Sequence, residues 1–286
     1  MQFNKAILLA GGQGTRLRPT TNLINKHLLP VFDKPMIFYS MSIIMLAKIK
    51  NILIVSDLDT IKVLKKFFNN GDWLGLKISY VEQKKSLGIV DAVKLSKKFI
   101  NNSNFCLMLG DNLFYGSELT SFLKVSQTSN KECSIFSYEV KNPSSFGVLS
   151  EKVGNTKIIE KPKKFINNKI ITGLYFLPNR SIKLALKSKR SLRGEFEITD
   201  ILNKIIKNKK YQIHHLNRGI KWMDMGTVDS LNRATEFIKN VEHNNAKKIA
   251  CLEEISLKNK WINKIDLKFF KKKYGNTDYF QYLKKL

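Results

Sequence analysis

At 286 residues and 43% hydrophobic content, the chain carries enough apolar material for one large domain or two small ones with a buried core. No apolar run reaches the roughly 18 residues of a spanning helix, and Met1-Gln2-Phe3-Asn4-Lys5 leads straight into an apolar strand pattern, so the expectation is a cytoplasmic protein with no membrane partner. The formal charge of +27 attracts polyanions, yet only seven of the 50 basic residues are Arg, which planar recognition of phosphates and base edges favours, and the lysines are spread along the chain; this reads as a solvated surface and argues against a nucleic-acid partner.

The first half alternates short apolar runs with helix-period segments, the pattern of βαβ units around a mostly parallel sheet. Residues 6–10 predict a buried strand that ends in Gly11-Gly12-Gln13-Gly14. A helix is expected over 36–47 with Pro35 in its first turn, where a fixed φ suits the backbone. Strands at 52–55 and 78–81 flank an amphipathic helix at 60–68. A further helix is expected over 89–99, and a strand over 105–109 ends in Gly110-Asp111-Asn112. From Cys133 onward the apolar runs shorten, and 135–140, 147–149, 157–159 and 170–176 read as strands of a small mixed insertion, about 133–180, laid over the sheet. Helices at 181–187 and 198–206 precede strand-like runs at 211–216 and 220–223, and Asp224 follows the second. A helix near 229–241 and weaker helical pieces beyond Leu252 complete the chain. The expected fold is α/β, with a Rossmann-like, mostly parallel central sheet, helices on both faces and a C-terminal helical extension at 241–286. Cys106, Cys133 and Cys251 are odd in number and lack CxxC spacing, with Cys106 and Cys251 set among apolar residues, so they read as buried thiols.

The segment Gly11-Gly12-Gln13-Gly14-Thr15-Arg16-Leu17-Arg18-Pro19 follows a buried strand, where an open α/β sheet places its ligands. Glycines there let backbone N–H groups approach phosphate oxygens. No Gly-Lys-Ser/Thr follows, so this is not a Walker A loop, and the third glycine of the dinucleotide fingerprint is missing. Instead the segment supplies Arg16, with Lys26 downstream.

Through Leu8-Leu9-Ala10-Gly11-Gly12-Gln13-Gly14-Thr15-Arg16-Leu17, Lys26-His27-Leu28-Leu29-Pro30 and Asp33-Lys34-Pro35-Met36-Ile37, the sequence resembles the sugar nucleotidyltransferases, and among them the glucose-1-phosphate thymidylyltransferases. Gly110-Asp111-Asn112-Leu113-Phe114-Tyr115-Gly116, Glu160-Lys161-Pro162, Thr172-Gly173-Leu174-Tyr175-Phe176, Gly194-Glu195-Phe196-Glu197-Ile198-Thr199-Asp200 and Ile249-Ala250-Cys251-Leu252-Glu253-Glu254-Ile255 extend the likeness over the whole chain. The resemblance implies a catalytic domain at 1–240 that makes dTDP-glucose and pyrophosphate from dTTP and glucose 1-phosphate with Mg²⁺. The same reaction with UTP or another sugar 1-phosphate is the alternative.

Attack of a sugar phosphate on an α-phosphorus brings two anions together, so the site must neutralise charge and align the reactants. Mg²⁺ prefers hard oxygen ligands and takes one or two carboxylates, and Asp111 and Asp224, each following an apolar strand run, suit it. The resemblance implies that Arg16 and Lys26 stabilise the departing pyrophosphate. It gives Lys161 the sugar phosphate, Gly11, Gly12, Gly14 and Thr15 the triphosphate, and Gly147, Glu160, Ile171 and Tyr175 the sugar. It places Gln83 and Gly88 at the base, the Gln83 amide offering both a donor and an acceptor to an imide edge. It further implies a homotetramer with a regulatory site, for which Tyr115, Gly116 and Glu254 are candidates.

The sequence departs from the family pattern in three places. Leu87-Gly88-Ile89-Val90-Asp91-Ala92 stands where Asp-Gly-Leu-Ala-Gln-Ala is usual, His27 where Gln is usual, and Met225 where Thr usually follows the second metal Asp.

Overall fold

The computed structural model describes residues 3–152 and 155–286. Its strands in chain order are β1 Lys5–Leu9, β2 Pro30–Val31, β3 Lys34–Pro35, β4 Asn51–Ser56, β5 Lys77–Glu82, β6 Phe105–Leu109, β7 Asn112–Tyr115, β8 Cys133–Glu139, β9 Gly147–Lys152, β10 Asn155–Glu160, β11 Lys169–Leu177, β12 Tyr211–His215 and β13 Lys221–Asp224. The helices are α1 Met36–Leu46, α2 Leu58–Phe68, α3 Ile89–Leu95, α4 Lys97–Ile100, α5 Leu119–Thr128, α6 Ser181–Leu186, α7 Ile198–Ile206, α8 Val228–Asn244, α9 Leu252–Lys258, α10 Leu267–Tyr274 and α11 Asp278–Leu283.

Continuous apolar runs make β1, β4 and β6 buried on both faces, and these strands pair in parallel, with β5 beyond β4. Side chains alternate across the pleat. Ala6, Leu8, Ile52, Ile54, Cys106 and Met108 pack with α1, whereas Ile7, Leu53, Val55, Phe105 and Leu107 pack with α3 and α7. Helix α7 shows why such segments dock: Ile198, Ile201, Leu202, Ile205 and Ile206 form one buried stripe, each side chain contributing about 2 kcal/mol by burial.

Beyond β6 the sheet is mixed, with β11 antiparallel to its neighbours and β12 parallel to β8. Strand β11 pairs with β6 and β8, and its Ile170 meets Val148 of β9. The mixed β segment therefore continues the sheet edge to edge and does not lie over it. Backbone groups on the β6 edge need partners, and β11 supplies them. The helix expected over 89–99 is broken at Ser96, whose buried hydroxyl donates to the Ala92 carbonyl at 2.7 Å. The Ser96 N–H is meanwhile shared between Ala92 and Val93, tightening the last turn. Pro35 stands one residue outside α1, at its N-cap. All three cysteines are buried thiols, and burial pushes Cys133 up to about 12.

The C-terminal helices dock on the main body. Ser256 Oγ donates to the Leu74 carbonyl at 2.8 Å, and Gly75, at φ 65°, faces Trp261 so closely that a Cβ would stand 2.6 Å from the Trp261 oxygen. Gly75→Ala is expected to destabilise the fold by about 1–3 kcal/mol through strain at this junction; an unchanged midpoint of thermal unfolding would show that the junction yields. Among the described residues no helix is long and apolar enough to cross a membrane.

Candidate active site

The carboxyl ends of the parallel strands converge on one rim. After β1, Gly14 adopts φ 60° with its carbonyl held by Thr21 Oγ1 at 2.7 Å. A Cβ on Gly12 would stand 3.2 Å from Lys26 Nζ, so the loop and Lys26 are in contact because Gly12 has no side chain. Asn25 fastens the Lys26 segment to the rim. Its Nδ2 donates to the Ala10 carbonyl at 3.1 Å and to Asp57 Oδ2 at 2.8 Å, while Asp57 caps α2 through Thr60. Thr15 and Arg16 lie exposed on the turn that follows Gly14.

Asp111, at the end of β6, forms an ion pair with Lys26. Asp224 reaches the same place through the β7–β13 ribbon, in which it pairs with Asn112, and the Met225 N–H donates to the Asp111 carbonyl at 2.9 Å. Arg16 Nη2 lies 3.7 Å from Asp224 Oδ2. Burial and the charge of Asp111 raise the Asp224 carboxyl to about 6. Burial opposes the Asp111 charge more than any other single cause, but the Lys26 ammonium and the hydrogen bonds from Lys26 and Asn112 together hold the carboxyl well below the usual carboxylate range, so it stays ionised. Two carboxylates that oppose each other's ionisation leave room for a further cation. Among the described residues no third His, Cys, Asp or Glu joins them, which suits an ion that completes its shell with phosphate oxygens and water.

Asn112 organises this corner although it carries no charge. It is buried; its Nδ2 donates to Asp111 Oδ1 at 3.1 Å, and its Oδ1 accepts from Gly173 N at 2.9 Å and Trp222 Nε1 at 2.7 Å.

The residues expected to hold a sugar meet one another. Glu160 and Gly147 are register partners on β10 and β9. A Cβ on Gly147 would stand 3.0 Å from Ile171 and 3.1 Å from Thr199. Burial, and then the Glu160 charge, raise the Tyr175 phenol above its ordinary value. Burial, and then Glu197, raise the Glu160 carboxyl above its ordinary value. Arg193 faces this acidic group from a neighbouring turn, 3.7 Å from Glu160 and 3.3 Å from Glu197. Lys161 is exposed and takes φ 40°, an unfavourable conformation for a non-glycine residue. Its N–H is anchored to the Phe146 carbonyl at 3.0 Å.

Gln83, at the end of β5, lines a cavity with Gly11 and Gly12, and Gly88, before α3, lies against the Phe196 backbone. Gln83 Nε2 donates to Asp91 Oδ2 at 2.9 Å and approaches the Gly88 carbonyl at 3.4 Å. The amide nitrogen is thus turned toward Asp91, and Oε1 toward Gly11.

Residues 5–241 match the family described as nucleotidyl transferase. The glucose-1-phosphate thymidylyltransferase of Neisseria meningitidis is 39% identical over 99% of this chain and 99% of its own length. That of Mycobacterium tuberculosis is 36% identical over 91% and 90%. This chain belongs to the nucleotidyl transferase family, among the glucose-1-phosphate thymidylyltransferases. The fold agrees. A Bacillus anthracis structure described as this enzyme, in complex with a sucrose, superposes with a TM-score of 0.75 at 32% identity, over 82% of this chain and 94% of the other. A UDP-glucose pyrophosphorylase complexed with UDP-glucose superposes with a TM-score of 0.73 at 25% identity, over 84% and 100%.

Within the family pattern, two of the three departures become intelligible. His27 is buried, its Nδ1 paired with Asn25 Oδ1 at 2.8 Å. Burial, then the Lys26 charge, depress its pKa to about 3, so the ring is neutral and acts as packing beside Gly110. Met225 is buried with Leu113 and Tyr39, and its contact with the Asp111 carbonyl is made by the backbone N–H, independent of the side chain. Tyr115, Gly116 and Glu254 share one cavity of about 360 Å³, between the β7 end and α9, with Lys258 on its wall.

Proposed function

We propose that this enzyme joins glucose 1-phosphate to dTTP. A sugar-phosphate oxygen bonds to the α-phosphorus, the α–β phosphoanhydride bond breaks, and pyrophosphate leaves. The observation that carries the reading is the meeting of the glycine loop, Lys26 and Arg16 with the Asp111–Asp224 pair on one rim of the sheet. Lys26 and Arg16 neutralise the β- and γ-phosphates, where charge grows as the anhydride breaks, and the N–H groups of Gly11, Gly12, Gly14 and Thr15 orient them. Asp111 and Asp224 hold Mg²⁺, which when bound lowers the repulsion between the two phosphate groups. Lys161 receives the attacking phosphate, while Glu160, Gly147, Ile171 and Tyr175 enclose the sugar, Glu160 accepting from its hydroxyls. Gln83 and Gly88 take the base. The reading includes a cytoplasmic homotetramer regulated at the Tyr115, Gly116 and Glu254 cavity, supported by the full-length likeness to the family.

Incubation with Mg²⁺, glucose 1-phosphate and each of dTTP, UTP, CTP, ATP and GTP, with products identified by mass, tests the proposal. The expected result is dTDP-glucose and pyrophosphate. A preference for UTP moves the specificity and leaves the mechanism standing, since thymine and uracil share the imide edge that Gln83 meets. Absence of any nucleotide sugar overturns it.

A further inference from the structure

We propose that Asp91 fixes the Gln83 amide in one orientation, making this position an acceptor-only reader of the base. It then favours thymine or uracil, which present an N3–H, and disfavours cytosine, which presents a lone pair there. The proposal rests on the reading that the base lies at Gln83 and Gly88.

Gln83 is 9% exposed and lines a cavity of about 520 Å³ with Gly11 and Gly12. The two groups nearest its Nε2, the Asp91 carboxylate at 2.9 Å and the Gly88 carbonyl at 3.4 Å, are both acceptors. A primary amide has two N–H donors, and here each has a partner. Turning the amide over would set its oxygen against a carboxylate and a carbonyl, leaving buried lone pairs facing one another. The amide nitrogen is thereby fixed toward α3, and Oε1 points the other way, 2.9 Å from where a Cβ on Gly11 would stand.

The residue at 91 decides how firmly this holds. An amide at this position could accept from Gln83 or donate to it. An ionised carboxylate only accepts. Aspartate at 91 therefore removes the alternative orientation, and it does so without touching the base. It is a positioning residue, acting through Gln83.

The test compares kcat and KM for dTTP and CTP, with glucose 1-phosphate and Mg²⁺, in the native enzyme and in Asp91→Asn, Asp91→Glu and Gln83→Ala. Asparagine is isosteric but lets the Gln83 amide turn over. The dTTP-over-CTP ratio of kcat/KM is expected to fall at least about tenfold in Asp91→Asn, the change lying in KM rather than kcat. Glutamate restores an acceptor and is expected to keep more of the ratio than asparagine does. An unchanged ratio in Asp91→Asn, with a lowered one in Gln83→Ala, overturns the role of Asp91 and leaves the base at Gln83. Unchanged ratios in both overturn the placement of the base and the proposal with it. A fall in kcat with the ratio intact shows a merely structural aspartate and overturns the proposal as well.

Discussion

Asp224→Asn is expected to give a folded protein whose turnover is lowered on the order of a thousandfold, and whose stability without metal is equal to or greater than that of the native chain. The sign follows from the carboxyl's surroundings. Folding raises Asp224 from 3.8 to about 6, through burial first and the Asp111 charge second. Ionised Asp224 therefore opposes folding, a penalty absent below about pH 4 and complete above about pH 6. Asparagine removes that penalty together with the second carboxylate of the metal site. Asp111→Asn is expected to lower turnover similarly but to cost stability too, because Asp111 is held ionised by Lys26 and contributes to the fold above its unfolded pKa.

Thermal unfolding in chelator and in Mg²⁺ separates the two effects. Mg²⁺ should raise the midpoint of the native protein and leave both variants nearly unmoved, since an ion that binds only the folded state stabilises it by mass action. Turnover within tenfold of native in either variant would remove that carboxylate from the metal site.

The contrast between these two aspartates was not legible in the sequence, although both were. Each follows an apolar run, and the likeness to a family names them; which of them is burdened by the other depends on Lys26 and Arg16 arriving from a distant loop. The parallel strands were easy to read because burial on both faces forces continuous apolar runs, as in β1 and β6. Strand β7 was not, since Asn112–Tyr115 is short and begins with a polar residue. Helix α5 escaped for a different reason: Leu119–Thr128 buries only Leu119, Leu123 and Ser126 and has no side-chain cap. Edge-to-edge joining of β11 to β6 is a long-range pairing on which periodicity is silent.

The site residues missed by sequence reasoning are uncharged or lie outside the expected roles. Asn25 and Asn112 act through amides whose partners, Asp57, Gly173 and Trp222, are far along the chain. Arg193 lies one residue before a motif recognised in the sequence, and only its approach to Glu160 gives it a place. An arginine in so basic a chain carries no signal until its partners are known.

Lys34→Met is expected to destabilise the protein by about 3–5 kcal/mol, the largest loss of stability foreseen from one side chain here. Lys34 is 2% exposed and sits before α1, where its ammonium pairs with Asp33 and with Glu242 Oε1 at 3.0 Å. Lys248 closes the group from the other side, reaching Asp33 and, at 3.1 Å, Glu242 Oε2. The same ammonium lies 5.8 Å from the Tyr39 ring and 5.7 Å from that of Tyr279. One cation thus ties the segment before α1 to α8 and to the C-terminal α11. Methionine replaces the stem but leaves the covered Glu242 side chain and the solvent-facing Asp33 with Lys248 as the cation they share. If the stranded charge is the cause, Lys34→Met with Glu242→Gln should recover part of the loss, because the uncompensated carboxylate is gone. A double variant as unstable as the sum of the two single changes would instead place the cost in lost ring and packing contacts. Calorimetric unfolding of the four proteins distinguishes the two, and the sign of the coupling decides it.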